Sequence, residues 1–104
     1  MPIYDMSCLP CCQTECCDLI SASFTVNRTS STDAWSINIV PDCDPPFSFD
    51  WYVYADDVLI DSGTWTGDEL PSGNHAHIPQ VCPDYRAELV CGGQTVFTDE
   101  DLCP

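Results

Sequence analysis

Cysteine is the residue type in this chain with the greatest capacity for chemistry. Nine of the 104 residues are cysteine, a density typical of disulfide-bonded extracellular domains or of metal-binding proteins. An odd total means that at least one cysteine is free, metal-bound or joined to another chain. Five of the nine fall within residues 1 to 20, at Cys8, Cys11, Cys12, Cys16 and Cys17.

The N-terminal spacing permits a metal site. Cys8-x2-Cys11 and Cys12-x3-Cys16 have spacings that can chelate zinc. The candidate ligands are therefore Cys8, Cys11, Cys12 and Cys16, and either Cys43 or Cys91 could complete a tetrahedral set. The usual zinc signature is two separated Cys-x2-Cys pairs, and this chain has only one such spacing. Disulfides, a zinc site and free or interchain thiols therefore all stay open.

Other polar clusters offer weaker candidates for metal binding. His75 and His77 stand two residues apart, so on a strand they would face the same way, either as a metal pair or as exposed polar residues near an edge. Three acidic clusters could supply oxygen ligands to calcium, but none has the twelve-residue loop pattern, and solvated turns explain them as well. These clusters are Asp42/Asp44, Asp56/Asp57 and Asp99/Glu100/Asp101.

No catalytic signature is found in the sequence. The chain has no nucleophile elbow, no phosphate-binding loop and no Cys-x-x-Cys placed in a βαβ pattern. We therefore expect a protein that is not an enzyme and that uses no cofactor, the zinc alternative aside.

The charge balance restricts the partners. Seventeen acidic residues stand against two arginines and no lysine, a formal net charge of −15. Phosphate backbones and anionic lipids bind clustered Lys and Arg, so neither nucleic acid nor a membrane surface is expected as a partner. Basic protein surfaces and cations are the favourable partners.

The start of the chain lacks the features of a signal peptide. Residues 1 to 6 have neither a basic segment nor an apolar one, and no apolar run approaches the ~20 residues of a membrane span. A cysteine-rich chain without an export signal is explained in two ways. Its cysteines bind metal inside the cell, or the protein is made in a host cytoplasm, leaves by lysis as part of a particle and oxidises afterwards.

Alternating apolar and polar residues predict the strands that must position these groups. The clearest runs are 21–28, 34–40, 47–55, 85–91 and 94–98, with shorter ones at 58–60, 64–66 and 76–78. Turn formers separate them, including Ser62-Gly63, the loop 70–74 and Gly92-Gly93. No helical periodicity of useful length is present. The sequence therefore predicts an all-β antiparallel sandwich of about seven strands over residues 21–104, preceded by an irregular Cys-rich arm over residues 1–20.

The strand pattern resembles immunoglobulin-like sandwiches, including the PKD and fibronectin-type groups. The resemblance covers about residues 21 to 99 and depends on Phe47–Tyr54 in the place of the third strand and Tyr85–Cys91 followed by Gly92-Gly93. The second strand lacks the cysteine of true immunoglobulin domains. The resemblance therefore implies that Trp51 packs against apolar side chains instead of a buried inter-sheet disulfide.

The resemblance also implies where the cysteines lie. In an immunoglobulin-like topology, Cys43 and Cys91 fall at the same end as the arm, and Cys82 and Cys103 fall at the opposite end. Cys82–Cys103 is then the preferred disulfide, with an entropic stabilisation of roughly 3 kcal/mol. Cys43 and Cys91 are also expected to form disulfides unless they bind metal.

Small size, no leader, a Cys-rich arm and exposed edge strands together resemble the small decoration or cement proteins of tailed-bacteriophage particles. This resemblance implies a structural protein of the virion that docks on a capsid or tail lattice, beside copies of itself, through its arm and one end of the sandwich. The expected contact residues are Tyr52, Tyr54 and Trp65, because aromatic residues dominate interfaces. The alternatives are a subunit of an extracellular filament or surface layer and an intracellular zinc-binding interaction module.

Overall fold

A computed structural model describes residues 16–104 of the chain. Seven antiparallel strands make up most of this range, and the described residues include no helix that is long and apolar enough to cross a membrane. The strands are β1 (Leu19–Asn27), β2 (Thr32–Pro41), β3 (Phe49–Ala55), β4 (Val58–Trp65), β5 (Ser72–Ala76), β6 (Tyr85–Cys91) and β7 (Gln94–Asp101).

The strands form two packed sheets. One has the order β1-β2-β5 and the other has the order β4-β3-β6-β7, and every neighbouring pair is antiparallel. This all-β sandwich of three plus four strands is compatible with an immunoglobulin-like fold, and it confirms the predicted fold class. We call one end of the sandwich, formed by residues 16–18, the β2–β3 connection and the β6–β7 turn, the arm end. The other, formed by the β1–β2 turn, the β5–β6 connection and residues 102–104, is the far end.

The core consists of the inward-facing positions of five strands, β1, β2, β3, β4 and β6, together with Phe47 of the β2–β3 connection. Alternate side chains of a strand point to opposite faces of a sheet, so the apolar positions that the sequence places two residues apart all reach the space between the sheets. The period is clearest in β2 and β6, where buried and more exposed residues alternate without a break. The largest fully buried apolar side chains are Trp35, Ile37, Phe49, Val53, Tyr85 and Leu89.

Two tryptophans span the layer between the sheets, and each lies against a glycine. The rings of Trp35 and Trp51 are 5.4 Å apart at their centroids. A Cβ atom at Gly73 would lie 2.7 Å from the Trp35 ring, and one at Gly63 would lie 2.7 Å from the Trp51 ring. Any side chain at either position would therefore overlap an indole, which explains why these two strand positions are occupied by glycine. Trp51 packs against apolar neighbours, as the resemblance implied.

The two glycines also explain where the strand prediction was wrong. Ser62-Gly63 is not a turn, because Gly63 pairs with Trp51 inside one continuous strand β4. The predicted loop 70–74 instead contains the start of β5, whose Gly73 pairs with Trp35 of β2. Glycine is normally a sign of a break, but here it gives an indole room to pack. β1 begins at Leu19, two residues before the predicted boundary.

Candidate functional sites at the two ends of the sandwich

Two disulfides fix the beginning of the described chain to the arm end. Cys16 is bonded to Cys43 of the β2–β3 connection, with Cα atoms 6.3 Å apart. Cys17 is bonded to Cys91 at the end of β6, with Cα atoms 5.6 Å apart. The amide of Asp42 also donates to the carbonyl of Asp18 at 2.9 Å. Residues 16–18 are therefore held against this end of the sandwich.

The predicted metal site is only partly within the described residues. Cys16 is bonded to Cys43, so its sulfur is not available as a thiolate ligand, which corrects its assignment. Cys8, Cys11 and Cys12 lie outside the described residues. Within residues 16–104, no group of three or more His, Cys, Asp or Glu side chains is placed to hold a metal ion. Zinc at the N-terminal cysteines stays a prediction.

The third disulfide closes the far end. Cys82 of the β5–β6 connection is bonded to Cys103, which follows β7, with Cα atoms 5.6 Å apart. This is the pair preferred from the sequence. The backbone amide of Cys103 donates to the carboxylate of Asp84 at 2.8 Å. The disulfide and this hydrogen bond hold the C-terminal residues against the β5–β6 connection.

A buried carboxylate lies at the centre of the far end. Asp33 of β2 is only 1% exposed. Its Oδ2 accepts a hydrogen bond from the Tyr85 hydroxyl at 2.7 Å, and its Oδ1 accepts one from the Thr29 amide at 3.0 Å. Nε2 of His77 is 3.1 Å from Oδ2, an ion-pair contact that lacks the alignment of an in-line hydrogen bond. One carboxylate thus joins the β1–β2 turn, β2, β6 and the β5–β6 connection.

The contacts of His77 favour its charged form. Nδ1 lies 2.9 Å from the carbonyl of Ile78, and Nε2 faces the carboxylate of Asp33. Both neighbours accept hydrogen bonds, so each ring nitrogen is best matched when it carries a proton. The Ile78 carbonyl and then Asp33 raise the pKa of His77 above its ordinary value. His77 and Asp33 therefore form an imidazolium–carboxylate pair.

The pKa values of the Asp33 carboxyl and the Tyr85 hydroxyl are shifted in opposite directions. Burial tends to raise the pKa of Asp33, but the hydrogen bonds from Tyr85 and Thr29, together with the ion-pair contact with His77, outweigh it and lower that pKa. Burial and the neighbouring Asp33 raise the pKa of Tyr85. Asp33 therefore stays ionised as an acceptor and Tyr85 stays neutral as a donor.

Stability is expected to depend on the ionisation of this cluster. A histidine with a raised pKa contributes stability that is complete below its ordinary value of 6.5 and is lost as the pH rises through the folded-state pKa. Asp33, with a lowered pKa, contributes stability above 3.8 that is lost as the pH falls through the folded-state pKa. The free energy of unfolding, measured in urea from about pH 4 to about pH 9, should therefore decline on the alkaline side.

The control for this prediction is His77→Gln, which removes the titrating ring. The variant should show a smaller decline above pH 6.5 than the parent protein. Both series are measured at high salt, because general repulsion in a chain of charge −15 also grows as carboxylates ionise. If the free energy of unfolding declined equally in the two proteins, the loss of stability at alkaline pH would not come from His77.

Arg28 also stabilises the far end of the sandwich. Its guanidinium donates to Oδ1 of Asp101 at 3.0 Å and 3.2 Å, to the Asp101 carbonyl at 2.7 Å and to the Pro83 carbonyl at 2.9 Å. It also lies over the Tyr85 ring, 5.1 Å from the centroid. A cavity of about 60 Å³ beside it is lined by Arg28, Asp33, His77 and Cys82, among others.

His75 and His77, considered from the sequence as either a metal pair or exposed polar residues, have different neighbours in the structure. His77 faces Asp33, whereas the ring of His75 lies edge-on to Tyr85 with centroids 5.9 Å apart. Sequence reasoning missed the buried role of Asp33, because the predicted strand begins one residue later, at residue 34. One signal was available: Asp33 is in phase with Trp35, Ile37 and Ile39, so the period of β2 already places it inward.

The three predicted contact residues have different environments. Trp65 is only 6% exposed, stacks on Phe47 at 5.3 Å and donates from Nε1 to the carbonyl of Asp68. Its assignment as a contact residue is therefore wrong: at the end of β4 its side chain points into the core. Tyr52 and Tyr54 are half-buried in the four-stranded sheet, and the Arg86 guanidinium lies 4.3 Å above the Tyr54 ring.

The outer face of the three-stranded sheet carries no charge. Its outward positions are small or uncharged, although the chain has 17 acidic residues. The register places Thr25, Ser36 and Ser72 in one row across the sheet, and the Thr25 and Ser36 hydroxyls are 2.9 Å apart. The outward residues are Ser21, Ser23, Thr25, Asn27, Thr32, Ala34, Ser36, Asn38, Val40, Ser72, Asn74 and Ala76.

Comparison of the chain with protein-family models, with curated proteins and with solved structures finds no match.

Proposed function

We propose that this chain is a non-enzymatic structural protein of a virus particle, a capsid decoration, cement or other accessory protein of a bacteriophage. It docks on a capsid or tail lattice through its N-terminal segment and the arm end of the sandwich. The observation that carries the proposal is the pair of disulfides at the arm end. Cys16 and Cys17 are bonded to two separate connections, so the fifteen preceding residues start from a fixed point.

This attachment suits a docking segment better than a free tail. Two disulfides at adjacent residues hold Cys16 and Cys17 more rigidly than one disulfide would, so the point at which the segment is attached is fixed. Fifteen residues are too few to bury a core of their own, so a neighbouring surface is needed to cover their apolar groups. Fixing the start of such a segment reduces the entropy that is lost when it binds.

The charge distribution supports two kinds of neighbour. A chain of charge −15 is attracted to basic lattice proteins over most of its surface. Two copies of the chain repel each other except where charge is absent, and the outer face of the three-stranded sheet is such a place. Its hydroxyl and amide groups both donate and accept hydrogen bonds, so this face can pair with the same face of a second copy.

A filament or surface-layer subunit is the second candidate, and the edge strand β4 favours it. Val58 and Leu59 at the start of this strand are 64% and 49% exposed. An edge strand with exposed apolar residues can accept a strand from another chain, which is how some extracellular filaments assemble. In that case the protein works outside the cell rather than in a virion. The zinc-module alternative depends on cysteines outside the described residues.

The test is to find the protein in particles. Virus particles from the source that carries the gene are purified on a density gradient, and this chain is quantified by mass spectrometry relative to the major coat protein. We expect a fixed ratio of many copies per particle that survives repeated banding. Its absence from particles, or a ratio that falls with each round, would overturn the proposal.

A truncated variant tests the docking segment itself. Particles stripped of the protein are mixed with the full chain or with residues 16–104, which keep all three disulfides described here. Co-sedimentation is expected for the full chain and not for the truncated one. Equal binding would show that the N-terminal segment is not the docking element.

A further inference from the structure

We propose that Cys82–Cys103 is a site of thiol–disulfide exchange, at which an incoming thiol bonds to Cys103 and Cys82 leaves as the thiolate. The incoming group belongs to a chemical class, a neutral or cationic thiol, carried either by a small molecule or by a cysteine on a basic protein surface. This inference does not depend on the proposed virion function.

Exposure distinguishes this disulfide from the others. Both Cys82 and Cys103 are exposed, and neither lies within a strand. In the other two disulfides of the described residues, each cysteine is at least partly buried, and Cys91 is in the core. Exchange requires in-line approach of a thiolate to one sulfur, so access alone favours the far end.

The two sulfurs differ in their electrostatic surroundings. Nη1 of Arg28 donates toward Sγ of Cys82 at 3.6 Å, and the guanidinium is held there by Asp101 and the Pro83 carbonyl. His77 lines the same cavity as Cys82. On the other side, the amide of Cys103 donates to the carboxylate of Asp84. Negative charge is therefore better stabilised on Cys82 than on Cys103.

This asymmetry sets the direction of the exchange. The incoming thiol loses its proton to solvent, and its sulfur attacks Sγ of Cys103. The Cys82–Cys103 bond breaks, its electron pair moves to Sγ of Cys82, and a new disulfide joins the incoming group to Cys103. The number of disulfides is unchanged, so no oxidant is needed. The thiolate beside a cation is the better leaving group.

The surrounding carboxylates select the class of thiol. Asp84 and Asp101 lie close to this disulfide, in a chain of charge −15. Anionic thiols are repelled from such a surface and cationic ones are attracted. Cysteamine, which is cationic, should therefore react faster than glutathione, which is anionic, after correction for their thiolate fractions.

The experiment uses the oxidised full chain. The folded protein is incubated with cysteamine or glutathione, quenched with an alkylating reagent and mapped by peptide mass spectrometry. We expect Cys82–Cys103 to react before Cys16–Cys43 and Cys17–Cys91, with the mixed disulfide on Cys103 and the alkyl group on Cys82. A mixed disulfide mainly on Cys82, or equal rates for the three disulfides, would overturn the proposal.

Variants separate the charge of Arg28 from its structural contacts. Arg28→Gln removes the cation and should slow the exchange by about threefold to tenfold. Asp101→Asn weakens the contact that holds the Arg28 guanidinium in place but keeps the positive charge, so the exchange should be unchanged or faster. If both variants accelerate the exchange, loosening of the loop controls the rate and the leaving-group role of Cys82 is wrong.

Discussion

Replacing Asp33 by alanine is expected to lower the free energy of unfolding by about 3 kcal/mol or more, one of the largest losses available to a single substitution in this chain. The carboxylate is 1% exposed and is contacted by Tyr85, Thr29 and His77. Removing it leaves a buried hydroxyl and a backbone amide without an acceptor. It also leaves the imidazolium of His77 without its counter-ion.

The measurement is urea unfolding at about pH 6, where the pair is intact. Asp99→Ala is the matched control, because Asp99 lies on an exposed position of β7 and its replacement changes the net charge equally. The control should stay within about 0.5 kcal/mol of the parent protein. Tyr85→Phe, which removes only the hydroxyl, should fall between the two, at about 1–2 kcal/mol. Equal stability of the Asp33 and Asp99 variants would show that the cluster does not hold the far end together.

The sandwich was largely predictable because most of its strands obey a period of two. β2 and β6 each alternate without interruption, so their inward faces follow directly from the order of apolar residues. β4 and β5 were mispredicted because Gly63 and Gly73 look like chain breaks. Their purpose is visible only once Trp51 and Trp35 occupy the space above them, and that requires knowing which strands are neighbours.

The functional groups were less predictable, and for a similar reason. The ends at which the cysteines lie followed from a resemblance in topology, and the pairing Cys82–Cys103 agrees with it. Arg28 and Asp101 are 73 residues apart and meet only after β1 and β7 are placed side by side. Trp65 was predicted to be a contact residue because aromatic residues dominate interfaces, but its position in β4 points the side chain into the core.

Among the disulfides of residues 16–104, loss of Cys17–Cys91 is expected to lower the free energy of unfolding the most. Its ends are 74 residues apart in the sequence, against 21 for Cys82–Cys103, so it closes the longer loop in the unfolded chain. The chain-entropy estimate is about 4 kcal/mol for the first and roughly 3 kcal/mol for the second. The double variant Cys17→Ala/Cys91→Ala should therefore lose more stability than Cys82→Ala/Cys103→Ala.

A second effect acts in the same direction at Cys17–Cys91. Cys91 belongs to the core, so shortening its side chain also leaves a small cavity there. The exposed Cys82–Cys103 pair has no such penalty. Both double variants are compared by urea unfolding without reductant, where alanine avoids adding a hydroxyl to the core. If the Cys82/Cys103 variant were the less stable, the far-end disulfide would hold the sandwich together, and the arm-end bonds would serve only to direct the N-terminal segment.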